Sequence, residues 1–184
     1  RKLAQQSGIS LPESRPEDRE QNAAFDALYN ANEFARKYYH HLLMEHNSGV
    51  AARDYLQGRG VPEEVRATFS LGYAPNAWDD LLVTAGRRGF DPQTLERAGL
   101  VLPRRDGNGH YDRFRHRIMF PIQAHTGRTV AFGARALDPA EQAKYLNSPE
   151  TPVYNKSATL YGLWQGRDPI RSERLALVVE GYMD

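Results

Sequence analysis

The amino-acid sequence predicts a mixed α/β (α+β) fold in which amino-terminal helices precede a small mixed β-sheet. Apolar residues recur every three or four positions over residues 16–68, which is the period of an amphipathic helix. Around residues 113–122 the period changes to two, as in a β-strand whose side chains alternate between faces. Residues 175–179 form an uninterrupted apolar run, which is typical of a strand buried on both faces.

The composition limits the functions that the chain can have. Its 184 residues carry a net charge of +1 and contain no cysteine. Disulfides, thiolate zinc sites and cysteine nucleophiles are therefore excluded within this sequence. Because the charge is nearly balanced, binding to nucleic acid has to depend on local clusters of basic residues. No apolar segment reaches the length of a membrane span, so we expect a cytoplasmic protein with no membrane partner.

The amino-terminal half is predicted to contain a linker followed by helices. Residues 1–20 are polar and include two prolines, as in an interdomain linker. Pro62 and the two acids after it are typical of a helix start, and Gly99 is typical of a helix end. Besides the long first helix, we expect helices over residues 49–57, from Pro62, over 79–88 and over 91–98. A short strand is expected within residues 69–75.

Three arginines are predicted to share one side of the strand at residues 113–122: Arg113, Arg115 and Arg117. Arg135 can join the same face, because a turn at Gly127 predicts a returning partner strand over residues 128–135. Guanidinium groups side by side repel one another unless anions or acids lie opposite. Two interpretations follow: a surface salt-bridged with Asp112 and Glu141, or a track for phosphates, which arginine binds in bidentate fashion. The sequence leaves both open.

Residues 144–151 combine the side chains that single-stranded nucleic acid requires. Lys144 supplies charge for a phosphate, Tyr145 a ring for stacking, and Asn147 an amide for sugar or base edges. Lys156 adds a second cation a few residues later. The alternative interpretation is a proline-stiffened turn that begins the next element.

Two carboxylates follow the terminal apolar run, Glu180 and Asp184. Ligands in open α/β sheets bind beyond the carboxyl ends of strands, so Glu180 is a candidate to hold a hard cation such as Mg²⁺ or to transfer a proton. The alternative is a solvated glutamate at the end of a strand, with Gly181 in an ordinary turn.

Taken together, these segments resemble bacterial replicative DNA primase of the DnaG type. The resemblance runs from about residue 53 to the end of the chain. It depends on strings that occur in this order: Tyr55-Leu56 with Arg59-Gly60, residues 71–75, residues 111–122, Gly127-Arg128, residues 132–135, residues 144–151, residues 160–163 and residues 179–184.

The resemblance implies the amino-terminal part of an RNA-polymerase core that ends in the first strand of a toprim fold. In that family a glutamate after this strand binds Mg²⁺ (or Mn²⁺), so Glu180 is implied as catalytic residue and metal ligand, with Asp184 as the nearby acid. The implied basic groove for template and primer comprises Arg59, Arg135, Lys144, Tyr145, Asn147 and Lys156. The aspartate pairs that complete the family's metal site do not occur before the chain ends.

By the same resemblance, residues 1–20 are a linker from an upstream zinc module, 21–172 the amino-terminal subdomain of the catalytic core, and 173–184 the start of a toprim domain. The implied activity is synthesis of short RNA primers, with single-stranded DNA template, RNA primer and nucleoside triphosphates as partners. The replicative helicase would bind through a further carboxy-terminal domain. We expect this chain alone to be inactive. Two alternatives remain: another toprim enzyme, such as a phage primase–helicase or a toprim nuclease, and a non-catalytic single-stranded-DNA-binding module.

Overall fold

The computed structural model describes residues 15–183, which form helices on a small antiparallel sheet. The helices are α1 (Pro16–Met44), α2 (Val50–Gly58), α3 (Glu63–Thr68), α4 (Asp80–Gly86), α5 (Pro92–Arg97) and α6 (Leu163–Glu173), with short 3-10 helices at Asn47–Gly49 and Lys156–Ala158. The strands are β1 (Gly72–Ala74), β2 (Val101–Pro103), β3 (His110–Asp112), β4 (Arg117–Gln123), β5 (Thr129–Ala136) and β6 (Tyr145–Asn147). The predicted combination of helices and a small sheet is confirmed.

Helix α1 begins within the segment that we predicted to be a linker. Pro16 occupies the first turn together with Glu17 and Asp18, and acids in a first turn interact favourably with the helix dipole. Residues 16–20 are therefore helical, as the pattern from residue 16 predicted; the role of residues 1–20 as a linker between domains stays a prediction, and residues 1–14 lie outside the described residues. Leu28, Tyr39 and other apolar residues at helical spacing are buried against the sheet.

Two hairpins organise the strands. The larger sheet has the order β1-β4-β5-β6 and the smaller one pairs β2 with β3, and every pair is antiparallel, so the expectation of a mixed sheet is wrong. The predicted turn at Gly127 is confirmed, with φ of +82° at that residue. Gly72 lets α1 approach β1 closely, because a Cβ there would lie 2.6 Å from the Cβ of Tyr39.

Strand β4 starts four residues later than its alternating pattern suggested. Residues 113–116 are irregular because His116 has a left-handed backbone with φ of +52° and donates its N–H to the Pro75 carbonyl. Only Arg117 of the three arginines therefore belongs to the strand. The strand is also buried on both faces, with Ile118, Met119 and Phe120 all inaccessible.

The terminal apolar run does not form the predicted strand. Residues 174–180 have no regular structure, and Leu177 and Val178 are 84% and 79% exposed. A strand exists only where a neighbour satisfies its backbone N–H and C=O groups. Within residues 15–183 no strand pairs with this segment, which explains the correction. None of the helices in the described part of the chain is long and apolar enough to cross a membrane.

Candidate nucleic-acid interface

Arg135 stands between two tyrosines at the end of β5. Its Nε donates to the Tyr55 hydroxyl at 2.6 Å, and its Nη1 donates to the Tyr145 hydroxyl. The guanidinium carbon also lies 5.5 Å and 5.1 Å from the centroids of the same two rings. This arrangement fixes a cation beside a partly exposed ring, since Tyr145 keeps 44% of its surface accessible. Cation and ring can contact a phosphate and a base respectively.

Tyr182 attaches the chain's last residues to this surface. Its ring stacks on Phe120 with centroids 4.9 Å apart, and its hydroxyl donates to Asn147 Oδ1 at 2.9 Å. Burial raises the pKa of Tyr182 to about 12, so the hydroxyl keeps the proton that it donates. The contact requires glycine at position 133, because a Cβ there would lie 2.4 Å from the Tyr182 ring. The chain at Tyr182 is thus held beside β5 and β6.

The three predicted arginines line one cavity beside β4, although they do not share a strand face. Arg113 donates to the Asn147 carbonyl at 3.1 Å, which joins this cavity to the surface around Arg135. Arg117 is buried, donates to the Ala143 carbonyl at 2.8 Å and lies 3.8 Å from the Glu141 carboxylate. Burial lowers the pKa of both Arg113 and Arg117. The predicted ion pair with Glu141 therefore exists, beside a cavity that an anion can reach.

Trp78 was not identified from the sequence. It lies in the loop before α4 with 60% of its surface exposed, and the Arg115 guanidinium stacks 4.4 Å from its ring centroid. Tyr111 packs edge-on against Trp78, with the centroids 5.6 Å apart. An exposed tryptophan beside an arginine can serve as a stacking platform for unpaired bases. In the sequence, Trp78 is an isolated aromatic residue just before the helix predicted over residues 79–88. That position indicates no function until the structure places Arg115 beside it.

Asp112 holds this platform in place and does not face the arginine cavity. Its carboxylate accepts the backbone N–H groups of Leu81 and Leu82 at 2.8 Å and 3.0 Å, at the start of α4. Its own N–H donates to the Trp78 carbonyl at 2.7 Å, and its carbonyl accepts from Arg115. Burial raises the pKa of Asp112 to about 7, against the opposing effect of the two N–H donors. The predicted salt bridge from Asp112 to the arginines is wrong.

Comparison with known protein families identifies the domain. Residues 38–167 match the family described as "DNA primase catalytic core, N-terminal domain". The chain belongs to this family.

Relatives and solved structures agree with this assignment of a primase core domain. The DNA primase of Halalkalibacterium halodurans is 41% identical over 182 residues, which cover 99% of this chain and 30% of that protein. The structure titled "Structure of the DnaG primase catalytic domain bound to ssDNA" superposes with a TM-score of 0.81 at 38% identity, covering 88% of this chain and 51% of that one. The zinc-binding and RNA polymerase domains of Aquifex aeolicus primase give a TM-score of 0.77 at 26% identity, covering 99% and 42%. The chain thus spans about a third of the length of the curated relative.

The remaining predicted groove residues of this primase domain are all exposed. Arg59 is exposed after α2 and lines a cleft together with Tyr161 and Tyr182. Lys144 is exposed next to β6, where its carbonyl accepts the Ala136 N–H at 2.9 Å. Lys156 is exposed in the second 3-10 helix. The binding roles of all the groove residues stay predictions.

The described residues of the primase domain do not by themselves fit a metal ion. Glu180 is exposed in a bend, and Asp184 lies outside the described residues. Among residues 15–183 there is no group of three histidine, aspartate or glutamate side chains close enough to hold a metal. One carboxylate cannot supply the several oxygen ligands that Mg²⁺ requires. The metal-binding and catalytic roles of Glu180 therefore also stay predictions.

Proposed function

We propose that this domain provides the template-binding surface of a DNA primase, an RNA polymerase that synthesises short RNA primers on single-stranded DNA. The observation that carries the proposal is the hydrogen bond from Arg113 to Asn147, which joins the Trp78–Arg115 platform to the Arg135–Tyr145 pair in one surface. The family assignment and the related catalytic domain bound to single-stranded DNA support it.

The side chains on this surface suit an unpaired strand better than a duplex. Trp78 and Tyr145 each leave a ring accessible, and the bases of a duplex are already stacked and cannot reach such rings. Arg115 and Arg135 lie beside these rings and attract the phosphates between successive bases. Stacking and phosphate contacts carry little sequence information, as copying of arbitrary templates requires.

Nucleotide transfer in the longer enzyme needs groups beyond this surface. We propose that Glu180 and Asp184 contribute to a site for Mg²⁺ or Mn²⁺ that is completed by further carboxylates, and that this chain alone makes no primers. Nucleoside triphosphates and the RNA primer are the further proposed ligands, and the replicative helicase is the proposed protein partner, through another domain. Zinc would belong to an upstream module, and the action at the replication fork would be in the bacterial cytoplasm.

Fluorescence anisotropy with labelled single-stranded DNA, duplex DNA and RNA over a range of salt concentrations tests the proposal. We expect preference for single strands and an affinity that falls with salt. Lys144→Ala and Lys156→Ala should each lower the slope of log affinity against log salt by about 0.7, the value for one lost phosphate contact to a single strand. Lys37→Ala is the matched control, because that lysine lies on α1 and pairs with Glu33. Equal binding to duplex and single strand would contradict the proposed surface.

A further inference from the structure

We propose that His116 is a further nucleic-acid contact, which donates a hydrogen bond from Nε2 to a phosphate oxygen in the arginine cavity. The inference rests on the proposed function and adds a residue to its site. His116 lines the same cavity as Arg113, Arg115 and Arg117. We assign this phosphate to the backbone of a single strand that lies across the surface. A nucleoside triphosphate presents the same phosphate oxygens, so the experiment below also measures ATP binding.

The backbone at His116 is held in an unusual conformation. Its φ of +52° is in the left-handed region, where most residues other than glycine are disfavoured. Two hydrogen bonds keep it there: its N–H donates to the Pro75 carbonyl at 3.1 Å, and its carbonyl accepts the Leu137 N–H at 3.3 Å. Conformations of this kind persist where the surroundings determine them, and they cluster at functional sites. Here the conformation turns the chain between Arg115 and Arg117 and brings the imidazole to the cavity.

Tyr73 determines which nitrogen of the ring is available. Its hydroxyl lies 3.1 Å from His116 Nδ1, and the two rings meet edge to face with centroids 6.2 Å apart. Tyr73 is only 5% exposed, and burial raises the pKa of its hydroxyl, which therefore remains protonated. The hydroxyl occupies Nδ1 and leaves Nε2 free; when the hydroxyl donates to Nδ1 the ring hydrogen lies on Nε2, and a doubly protonated ring also carries one there. In both forms Nε2 is a donor.

The charges around the cavity favour an anion. Three guanidinium groups face two carboxylates, those of Asp138 and Glu141. Asp138 accepts the Ala140 N–H at 2.8 Å, and Glu141 lies 3.8 Å from Arg117. One positive charge therefore remains uncompensated among these five groups. A phosphodiester carries one negative charge and several acceptor oxygens, which match this excess and the Nε2 donor.

Binding of fluorescein-labelled oligo(dT) tests the inference. His116→Ala should weaken binding about tenfold, as expected for loss of one hydrogen bond to a charged group. Tyr73→Phe keeps the imidazole but releases Nδ1, and should weaken binding by a smaller factor. His125→Ala is the matched control, because that histidine is exposed in the β4–β5 turn, and should bind like the unaltered chain. Alanine is itself strained at positive φ, whereas asparagine tolerates that conformation. His116→Asn is therefore measured as a second variant, both for oligo(dT) affinity and for melting temperature.

The outcomes separate this inference from the proposed function. If Arg115→Ala weakens oligo(dT) binding but His116→Ala and His116→Asn do not, the inference is overturned and the proposed surface stands. If none of the three affects binding, the proposed surface itself is wrong. A loss of ATP binding with unchanged oligo(dT) affinity would overturn the assignment to a strand phosphate. Reduced oligo(dT) affinity in His116→Asn at an unchanged melting temperature is the expected result.

Discussion

The buried carboxylate of Asp112 predicts an unusual dependence of stability on pH. Its side chain is 3% exposed, and burial raises its pKa from 3.8 to about 7. In the unfolded chain the carboxyl loses its proton near pH 4, whereas in the folded chain it keeps the proton until about neutral pH. Above pH 4 the folded state therefore binds more protons than the unfolded state, and stability falls as the pH rises until the folded carboxyl has also ionised.

The magnitude follows from the two pKa values. The full shift corresponds to about 4 kcal/mol, of which about 2 kcal/mol is lost between about pH 5.5 and about pH 8. Asp112→Asn removes this titration. The amide also replaces one of the two oxygens that accept the Leu81 and Leu82 N–H groups, which costs about 1–3 kcal/mol at every pH. The destabilisation caused by Asp112→Asn should therefore be about 2 kcal/mol smaller at pH 8 than at pH 5.5.

Urea-induced unfolding of the unaltered and Asp112→Asn chains at the two pH values measures this difference. The difference in free energy of unfolding between the two chains removes the contribution of every titratable group that the substitution does not affect. Asp79, Asp80, Tyr38 and Tyr39 are the titratable neighbours whose charges interact with Asp112. Parallel changes of the free energy of unfolding with pH in both chains would refute the reasoning, because Asp112 would then titrate alike in the folded and unfolded states.

Two further predictions concern the terminal residues and their attachment. Gly133→Ala should displace Tyr182 from Phe120, because the added Cβ would overlap the tyrosine ring. We expect urea unfolding to show a free energy of unfolding lower by about 1–3 kcal/mol. Gly86→Ala is the control and should be neutral or slightly stabilising, because its Cβ meets no atom within 4 Å. Glu180→Gln in the longer enzyme should reduce primer synthesis by orders of magnitude with an unchanged melting temperature, since the side chain is exposed. Retained synthesis would support a non-catalytic binding module, and Glu173→Gln is a matched exposed control.

Local features of the sequence were sufficient for most of the elements. Helix α5 has proline in its first turn and Gly99 after its end, and both signals act over a few residues. The β4–β5 hairpin follows from two apolar segments joined by a turn at Gly127. Tyr145 and Asn147 were predicted from their chemistry to bind nucleic acid, and both lie on the short strand β6.

The sequence by itself thus determined five of the helices, from α1 to α5, and where the main hairpin turns, but it did not indicate α6. The tertiary structure decided which residues meet: Trp78 with Arg115, His116 with Tyr73, and Tyr182 with Gly133. It also decided that the apolar run at residues 175–179 is not a strand here. The physical reason is the range of the interactions. Helix and turn signals act between near neighbours, whereas stacking, close packing and strand pairing need partners that only the folded chain brings together.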